Sequence, residues 1–285
     1  MAKSFRSMSE LNSSTVMIVD ALNLAFRWKH SGALKFVDEY MKVVESLRRS
    51  YSAGKVIIAC DMGSSSYRKA IYPEYKGNRE ALRATQTPEQ ELEFKLFFEE
   101  FMKVIEAFEE SSDYPVIRYN KTEADDIAAY IVKTKSKYSI EKIVLISSDK
   151  DWDLLVVDDS ILRFSYVTRK EVTLETWKEH YDWEQPEYIS IKCLQGDSGD
   201  NVPGVDKVGP AKALALVRQY SSAYDVAASL PIQSKYVYIK NLNAFGTDNI
   251  LRNYRLMDLI EFCEEALGEE NCKDIDSILE SYLND

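Results

Sequence analysis

The chain has 285 residues, 45% hydrophobic and 29% charged, which suits a soluble globular protein with a substantial core, in one large domain or two modest ones. No run approaches the roughly 20 apolar residues of a membrane span, and a net charge of −11 argues at first sight against a polyanionic partner. The distribution reverses that reading, because residues 261–285 hold nine acids and one base, leaving a balance of −3 for residues 1–260.

Residues 1–14 read as a polar lead-in without the apolar core of a secretory signal, so export is not expected. Strand-length apolar runs follow at Thr15–Val19, Lys55–Cys60, Pro115–Arg118, Lys142–Ser147 and Ile161–Ser165. Helical patterns cover Leu34–Ser50, Glu91–Glu109, Glu123–Thr134 and Tyr188–Leu194. This alternation predicts an α/β domain over residues 15–195, with a mainly parallel central sheet flanked by helices. Near residue 196 the strands stop. Gly196, Gly199, Gly204 and Gly209, with Pro203 and Pro210, form a turn-rich entry to a helix at Ala211–Tyr220. Residues 196–285 are expected to form an all-helical subdomain packed on the sheet, with an acidic tail (Glu261–Asp285) that either folds back or stays free. Cys60, Cys193, Cys263 and Cys272 lack a zinc-like spacing; Cys60 and Cys193 fall in apolar runs as buried thiols, and a reducing, cytoplasmic setting is expected.

Nine acids stand at or just after the predicted strand ends and neighbouring turns: Asp20, Asp61, Glu123, Asp125, Asp126, Asp149, Asp151, Asp197 and Asp200. In open parallel sheets ligands bind beyond the carboxyl ends of the strands, where these acids fall. Two ionised carboxylates about 4 Å apart repel by about 4 kcal/mol at an effective dielectric near 20. Hard divalent cations resolve that conflict most directly, so the pattern points to a metal-dependent enzyme acting on phosphates.

The acids come in clusters. Glu123-Ala124-Asp125-Asp126 opens a helix with more acid than capping needs, and Glu123 and Asp126 share a face at i and i+3. In Ser147-Ser148-Asp149-Lys150-Asp151-Trp152-Asp153, Asp149 and Asp151 should point at the site, and Asp153 should serve as an N-cap or face solvent. Gly196-Asp197-Ser198-Gly199-Asp200-Asn201 adds two acids held by glycines that permit close backbone approach. The positive counterpart is Pro73-Glu74-Tyr75-Lys76-Gly77-Asn78-Arg79. A helix there would align Lys76, Arg79 and Arg83 beside Tyr72 and Tyr75, for phosphoryl clamping and base stacking. Leu92, Leu96, Phe97, Phe98, Phe101 and Met102 then read as core or a hydrophobic wall. Basic residues gather in residues 62–83 and 207–255, a polyanion footprint that whole-chain charge hides. The loop Val202–Ala213 runs into a helix whose first amides, with Lys212, suit a phosphate. His30 and His180 lie far from any acid cluster in the sequence, and no Walker-type loop is present, which disfavours a nucleotide triphosphatase.

Taken in order, Met17-Ile18-Val19-Asp20-Ala21-Leu22-Asn23, Pro73-Glu74-Tyr75-Lys76-Gly77-Asn78-Arg79, Glu123-Ala124-Asp125-Asp126, Ser148-Asp149-Lys150-Asp151 and Gly196-Asp197-Ser198-Gly199-Asp200-Asn201 resemble the 5′-nuclease (flap endonuclease) superfamily over residues 15–260. The resemblance is strongest to stand-alone bacteriophage 5′-exonucleases, relatives of the N-terminal domain of bacterial DNA polymerase I. It implies a PIN-like nuclease domain, a helical arch over about 72–110 and a helix–hairpin–helix-type DNA-binding subdomain. It implies that Asp61, Glu123, Asp125 and Asp149 surround a first divalent ion, with Asp20 and Asp126 nearby or acting through water. Asp149, Asp151, Asp197 and Asp200 would surround a second. Lys76 and Arg79 match the basic pair at the base of the arch, and Tyr75 matches a stacking position. Arg68, Arg83, Gly204, Lys207, Gly209 and Lys212 are the expected DNA contacts. Lys207 stands where the hairpin commonly has glycine, which puts the turn and its potassium site in question.

The implied activity is structure-specific 5′-3′ exonuclease and flap endonuclease hydrolysis by two Mg2+, with Mn2+ as substitute, in DNA replication such as primer and flap removal. The expected partners are flap, nicked or 5′-ended DNA, RNA–DNA hybrids and replication proteins, with the chain a monomer, off the membrane, in the cytoplasm (of the host if phage-encoded). Two readings compete. A non-catalytic DNA-binding protein would be favoured by an incomplete acid set, and a haloacid-dehalogenase-type phosphatase would need Asp at position 22, where Leu22 stands.

Overall fold

A computed structural model describes residues 11–284; most of the expected N-terminal lead-in, residues 1–10, lies outside the described residues. Strand β1 (Asn12–Asp20) leads into α1 (Ala21–Ser31) and α2 (Val37–Ser50), then β2 (Ala53–Ala59). Helices α3 (Ser66–Ile71), α4 (Gly77–Arg83) and α5 (Pro88–Ser111) precede β3 (Val116–Ile117) and α6 (Ala124–Thr134). Then come β4 (Lys142–Ile146), β5 (Ile161–Phe164) and β6 (Glu171–Val172). Helix α7 (Tyr188–Gln195) reaches a small hairpin of β7 (Gly196–Asp197) and β8 (Val202–Pro203). Five helices follow: α8 (Pro210–Tyr220), α9 (Ala223–Ala228), α10 (Val237–Met257, broken at Gly246), α11 (Leu259–Leu267) and α12 (Glu269–Asn284). Among the described residues no helix is long and apolar enough to cross a membrane.

The main sheet has the order β3-β2-β1-β4-β5-β6, parallel throughout except for β6. Strand β1 lies near its centre, and Val16, Met17, Ile18 and Val19 have no exposed surface, as a parallel strand covered on both faces requires. The period of two sorts its side chains. Val16 and Ile18 join the core under α6, α11 and α12, whereas Met17 and Val19 join the core under α1, α2 and α5. Helix α1 went unmarked in the sequence; it starts at Asp20, whose carboxylate caps Asn23 N–H, and stops at Gly32 (φ 72°). Helix α5 begins with a reciprocal Thr87–Gln90 capping box and Pro88 at its first position.

A third core unites α7 to α10 with Tyr75. The helical unit expected from residue 196 keeps this core as far as Met257; beyond it, Leu259, Cys263, Leu267, Ile275 and Leu279 return to the sheet's own core. The acidic tail therefore folds back as helix. Its polar side chains meet partners there: Asp276 accepts from the Tyr130 hydroxyl (2.9 Å) and the Lys137 ammonium (2.8 Å), and Tyr282 OH accepts from Val56 N–H (3.0 Å).

Asp153 corrects the sequence reading. It is neither a cap nor solvated: it has no exposed surface and is held by the Arg163 guanidinium (2.8 Å) and the Tyr181 hydroxyl. A buried charge survives only when paired and hydrogen-bonded. Asp153→Ala should therefore lower unfolding free energy by about 3–5 kcal/mol in urea titrations; a loss below about 1 kcal/mol, the scale of an exposed pair, would contradict this reading.

Candidate metal centre at the carboxyl edge of the sheet

Parallel strands end at one edge, so acids placed just after β1, β2 and β4 arrive together. Asp20 closes β1, Asp61 follows β2, Asp125 sits in the first turn of α6, and Asp149 and Asp151 follow β4. The hairpin adds Asp197 and Asp200 from the other side. These seven acids line one pocket of about 250 Å³, with Leu22, Asn23, Phe26, Lys76, Arg79 and Gly199. Glu123 lines an adjoining cavity with Lys76, Arg79 and Arg83. A larger cleft of about 980 Å³ lies at the opposite edge, against Lys55 and Tyr282, and carries no comparable acid cluster.

Crowding and lost hydration act together on these groups. Burial, then Asp61, pushes Asp20 well above the usual carboxylate range, although the Ser147 hydroxyl bonds its Oδ2 at 2.7 Å. Burial also raises Asp61, against the Ala124 N–H that its Oδ1 accepts at 2.9 Å. Asp125 is raised well above range by burial, Asp149 and Asp61. Asp149 opens into the pocket, yet desolvation and Asp151 push it up to about 6.

Fixed cations answer part of this charge. Burial alone would raise Glu123, but Lys76 Nζ at 2.7 Å and the Arg68 guanidinium outweigh it and hold its carboxyl low. Burial opposes the charge on Lys76, yet Glu123 and Asp200 keep it above the ordinary lysine range. Arg79 meets Asp200 at 2.7 Å. Lys192, a buried lysine on α7, bridges Asp151 and Asp197 (3.0 Å to the latter), and it overcomes burial to hold Asp197 low. Lys192 escaped the sequence reading because α7 looked like a plain apolar helix; a lone lysine in the run Tyr188–Leu194 was the signal.

Three site expectations change. Asp126 has no exposed surface, and both its oxygens accept from Arg68 at 2.8 Å, so it faces the protein wall instead of the pocket. Arg68 is 3% exposed and also donates to the Leu256 carbonyl, so it is buried away from any duplex. Tyr75 is 2% exposed, with its hydroxyl on Glu123 (3.0 Å) and Asp200 (2.8 Å); it braces carboxylates and has no free face for a base. Arg83 is exposed on α4 beside Phe94. His30 and His180 do not line the pocket.

Residues 74–79 are fastened to the hairpin. Lys76 N–H donates to the Asp200 carbonyl (2.9 Å), Asn78 to that of Ser198 (2.9 Å), and Asn201 to that of Glu74 (2.8 Å). Lys76 adopts φ 56°, so the helix begins at Gly77 and Lys76 points back at the acids. In the hairpin, a Cβ on Gly204 would stand 1.8 Å from the Gln195 carbonyl oxygen, so only glycine fits there. Lys207 takes φ 64°, which preserves the turn, and its carbonyl accepts from Lys212 Nζ at 2.8 Å. Gly209 caps the start of α8, and Lys207, Gly209 and Lys212 are exposed.

All donors at the pocket are oxygens, the chemistry of a hard divalent cation. Among the described residues no three acidic, histidine or cysteine side chains already converge at ligand distance; the carboxylates instead engage Lys76, Arg79 and Lys192. The residues present fit such an ion by donor type and by their excess of mutually repelling charge.

Comparison with known proteins gives a consistent result. Residues 15–182 match the family described as 5′-3′ exonuclease, N-terminal resolvase-like domain. The chain is 39% identical to the flap endonuclease of Escherichia phage T5 over 256 residues, 89% of this chain and 86% of that protein. It is 31% identical to DNA polymerase I of Bacillus subtilis over 67% of this chain, matching 20% of that longer protein. A crystal structure of the phage T5 flap endonuclease in a pseudo-enzyme–product complex with DNA and metal ions superposes with a TM-score of 0.89 at 35% identity, covering 95% of this chain and all of that one.

Lys192→Met would leave Asp151 and Asp197 without their counterion. The variant should melt below wild type in EDTA, and calcium should raise its Tm by more than it raises that of wild type; equal gains would contradict the bridging role.

Proposed function

The chain belongs to the 5′-3′ exonuclease family, and from that premise we propose that it is a structure-specific 5′-nuclease, with both 5′-3′ exonuclease and flap endonuclease activity on DNA. The observation that carries the reading is the convergence of seven acids from separate segments on one pocket, with Lys76 and Arg79 at its side. Its substrates would be flap, nicked and 5′-ended DNA, with RNA–DNA hybrids tolerated. Its work would be primer and 5′-flap removal in replication, as a monomer in the cytoplasm alongside replication proteins.

Two Mg2+ ions, replaceable by Mn2+, would supply an activated water nucleophile and neutralise charge at the leaving 3′ oxygen. Asp61, Glu123, Asp125 and Asp149 would hold one, with Asp20 close by; Asp149, Asp151, Asp197 and Asp200 would hold the other. Lys76 and Arg79 would exchange Glu123 and Asp200 for a phosphate oxygen, neutralising charge as the bond breaks. Tyr75 and Arg68 would keep Glu123 and Asp200 in place meanwhile. Arg83, Lys207, Gly209 and Lys212 are the proposed DNA contacts, and Gly204 lets the hairpin close. A potassium ion at the hairpin would have to compete with Lys212 for the Lys207 carbonyl.

Labelled flap, nicked and gapped duplexes incubated with magnesium or EDTA test the activity. Cleavage confined to the magnesium samples is expected, and binding without cleavage in both would overturn it. Asp149→Ala or Asp197→Ala should cut turnover about a thousand-fold or more, about 4 kcal/mol in barrier, while duplex binding survives; wild-type turnover in both would contradict the assignment.

Protons add a second check. With Asp149 raised to about 6, a divalent ion must displace a proton at and below that pH. Ion affinity, followed by calorimetry with calcium, should fall as pH drops from 7 to 5, with proton release detectable between buffers of different ionisation enthalpy. A pH-independent affinity would count against ligation by Asp149.

A further inference from the structure

Trp152 lies on the 3-10 turn Lys150–Leu155, which starts from Asp149 and carries Asp151. It is fully buried in the core shared by β1, β4 and α6. Its one polar atom, the indole N–H, donates to Asp125 Oδ1 at 2.6 Å. A phenylalanine would serve the packing without bringing a donor that needs a partner. The donor instead reaches an acid on a different element, across the pocket wall.

We infer that Trp152 is a positioning residue for the metal centre: its indole N–H fixes Asp125 Oδ1 and leaves Oδ2 as the oxygen available to an ion. Because Trp152 and Asp151 share one turn, and Asp149 caps that turn through Asp151 N–H at 2.9 Å, the same bond sets how far Asp125 stands from Asp149 and Asp151. Between them these three acids reach both proposed ion shells, Asp125 in the first, Asp151 in the second and Asp149 in each. The indole is thus a strut between α6 and the segment after β4, and its rigidity comes from burial on every side. Carboxylates that ligate metals depend on such outer hydrogen bonds for orientation.

The inference rests on the two-ion reading, and its test separates the two. Trp177 is the control, since it is buried in the same core but its indole donates to the Trp183 carbonyl at 2.8 Å, not to a site acid. Calcium titrated into the DNA-free protein should bind, and the assigned Trp152 indole N–H resonance should shift as it does. Trp152→Phe should weaken calcium binding about 10–100-fold, while Trp177→Phe stays within about twofold of wild type. Unchanged affinity in Trp152→Phe, or an equal loss in Trp177→Phe, would overturn the inference. Should Trp152→Phe fail to fold, the wild-type resonance decides: no shift at saturating calcium refutes the strut. Absence of calcium binding by the wild type would overturn the two-ion reading and this inference with it.

Discussion

Repulsion between like charges is the constraint on which the rest of the structure depends. Seven carboxylates face one pocket of about 250 Å³, and their mutual repulsion makes it costly for all of them to be ionised together without positive partners. The surrounding chain is arranged to bear that load. Lys76, Arg79 and Lys192 pair with these acids directly, while Ala124 N–H, the Ser147 hydroxyl, the Trp152 indole and the Tyr75 hydroxyl donate to Asp61, Asp20, Asp125 and Asp200 in turn. Such a site spends its hydrogen bonds on holding charge in place instead of on stability, and an oxygen-seeking cation is the natural complement.

The fold shares this task between two bodies. The parallel sheet delivers Asp20, Asp61, Asp125, Asp149 and Asp151 along one edge, and the hairpin of the helical unit delivers Asp197 and Asp200. Neither body holds the full set. The contact between residues 74–79 and the hairpin keeps the two registered, through backbone as well as side-chain bonds. Arg68 strengthens the same seam, since it ties Asp126 and Glu123 on one side to the Leu256 carbonyl on the other. The last helices then fold back over the sheet, so that the acid-rich end of the chain meets tyrosines and lysines and stays outside the pocket.

Much of this is legible in the sequence because strand ends are legible. A run such as Ile143–Ile146 announces a buried parallel strand, and topology then fixes where the next acid goes. Burial partners are harder to read. Asp126 looked like a ligand because it shares a helix face with Glu123, but Arg68, 58 residues away, claims it. Tyr75 looked like a stacking ring, yet folding buries it against α7 to α10. Asp153 looked like an N-cap or a solvated acid, and only the tertiary fold brings Arg163 and Tyr181 to it. Lys192 was overlooked for the same reason, since its partners lie on other segments. Helix α1 was missed because its apolar and polar residues are mixed, and its clearest marker is the cap at Asp20. Lys207 is the converse case: its positive φ shows that a lysine tolerates the glycine position when the hairpin around it is held.

Anomalous diffraction from crystals of the protein grown with Mn2+ tests the central claim most directly. Two peaks are expected, one among Asp61, Glu123, Asp125 and Asp149 and the other among Asp149, Asp151, Asp197 and Asp200, with Lys76 and Lys192 withdrawn from the acids they now pair. Peaks elsewhere on the surface, or a pocket whose lysines keep their carboxylates at saturating Mn2+, would contradict the account.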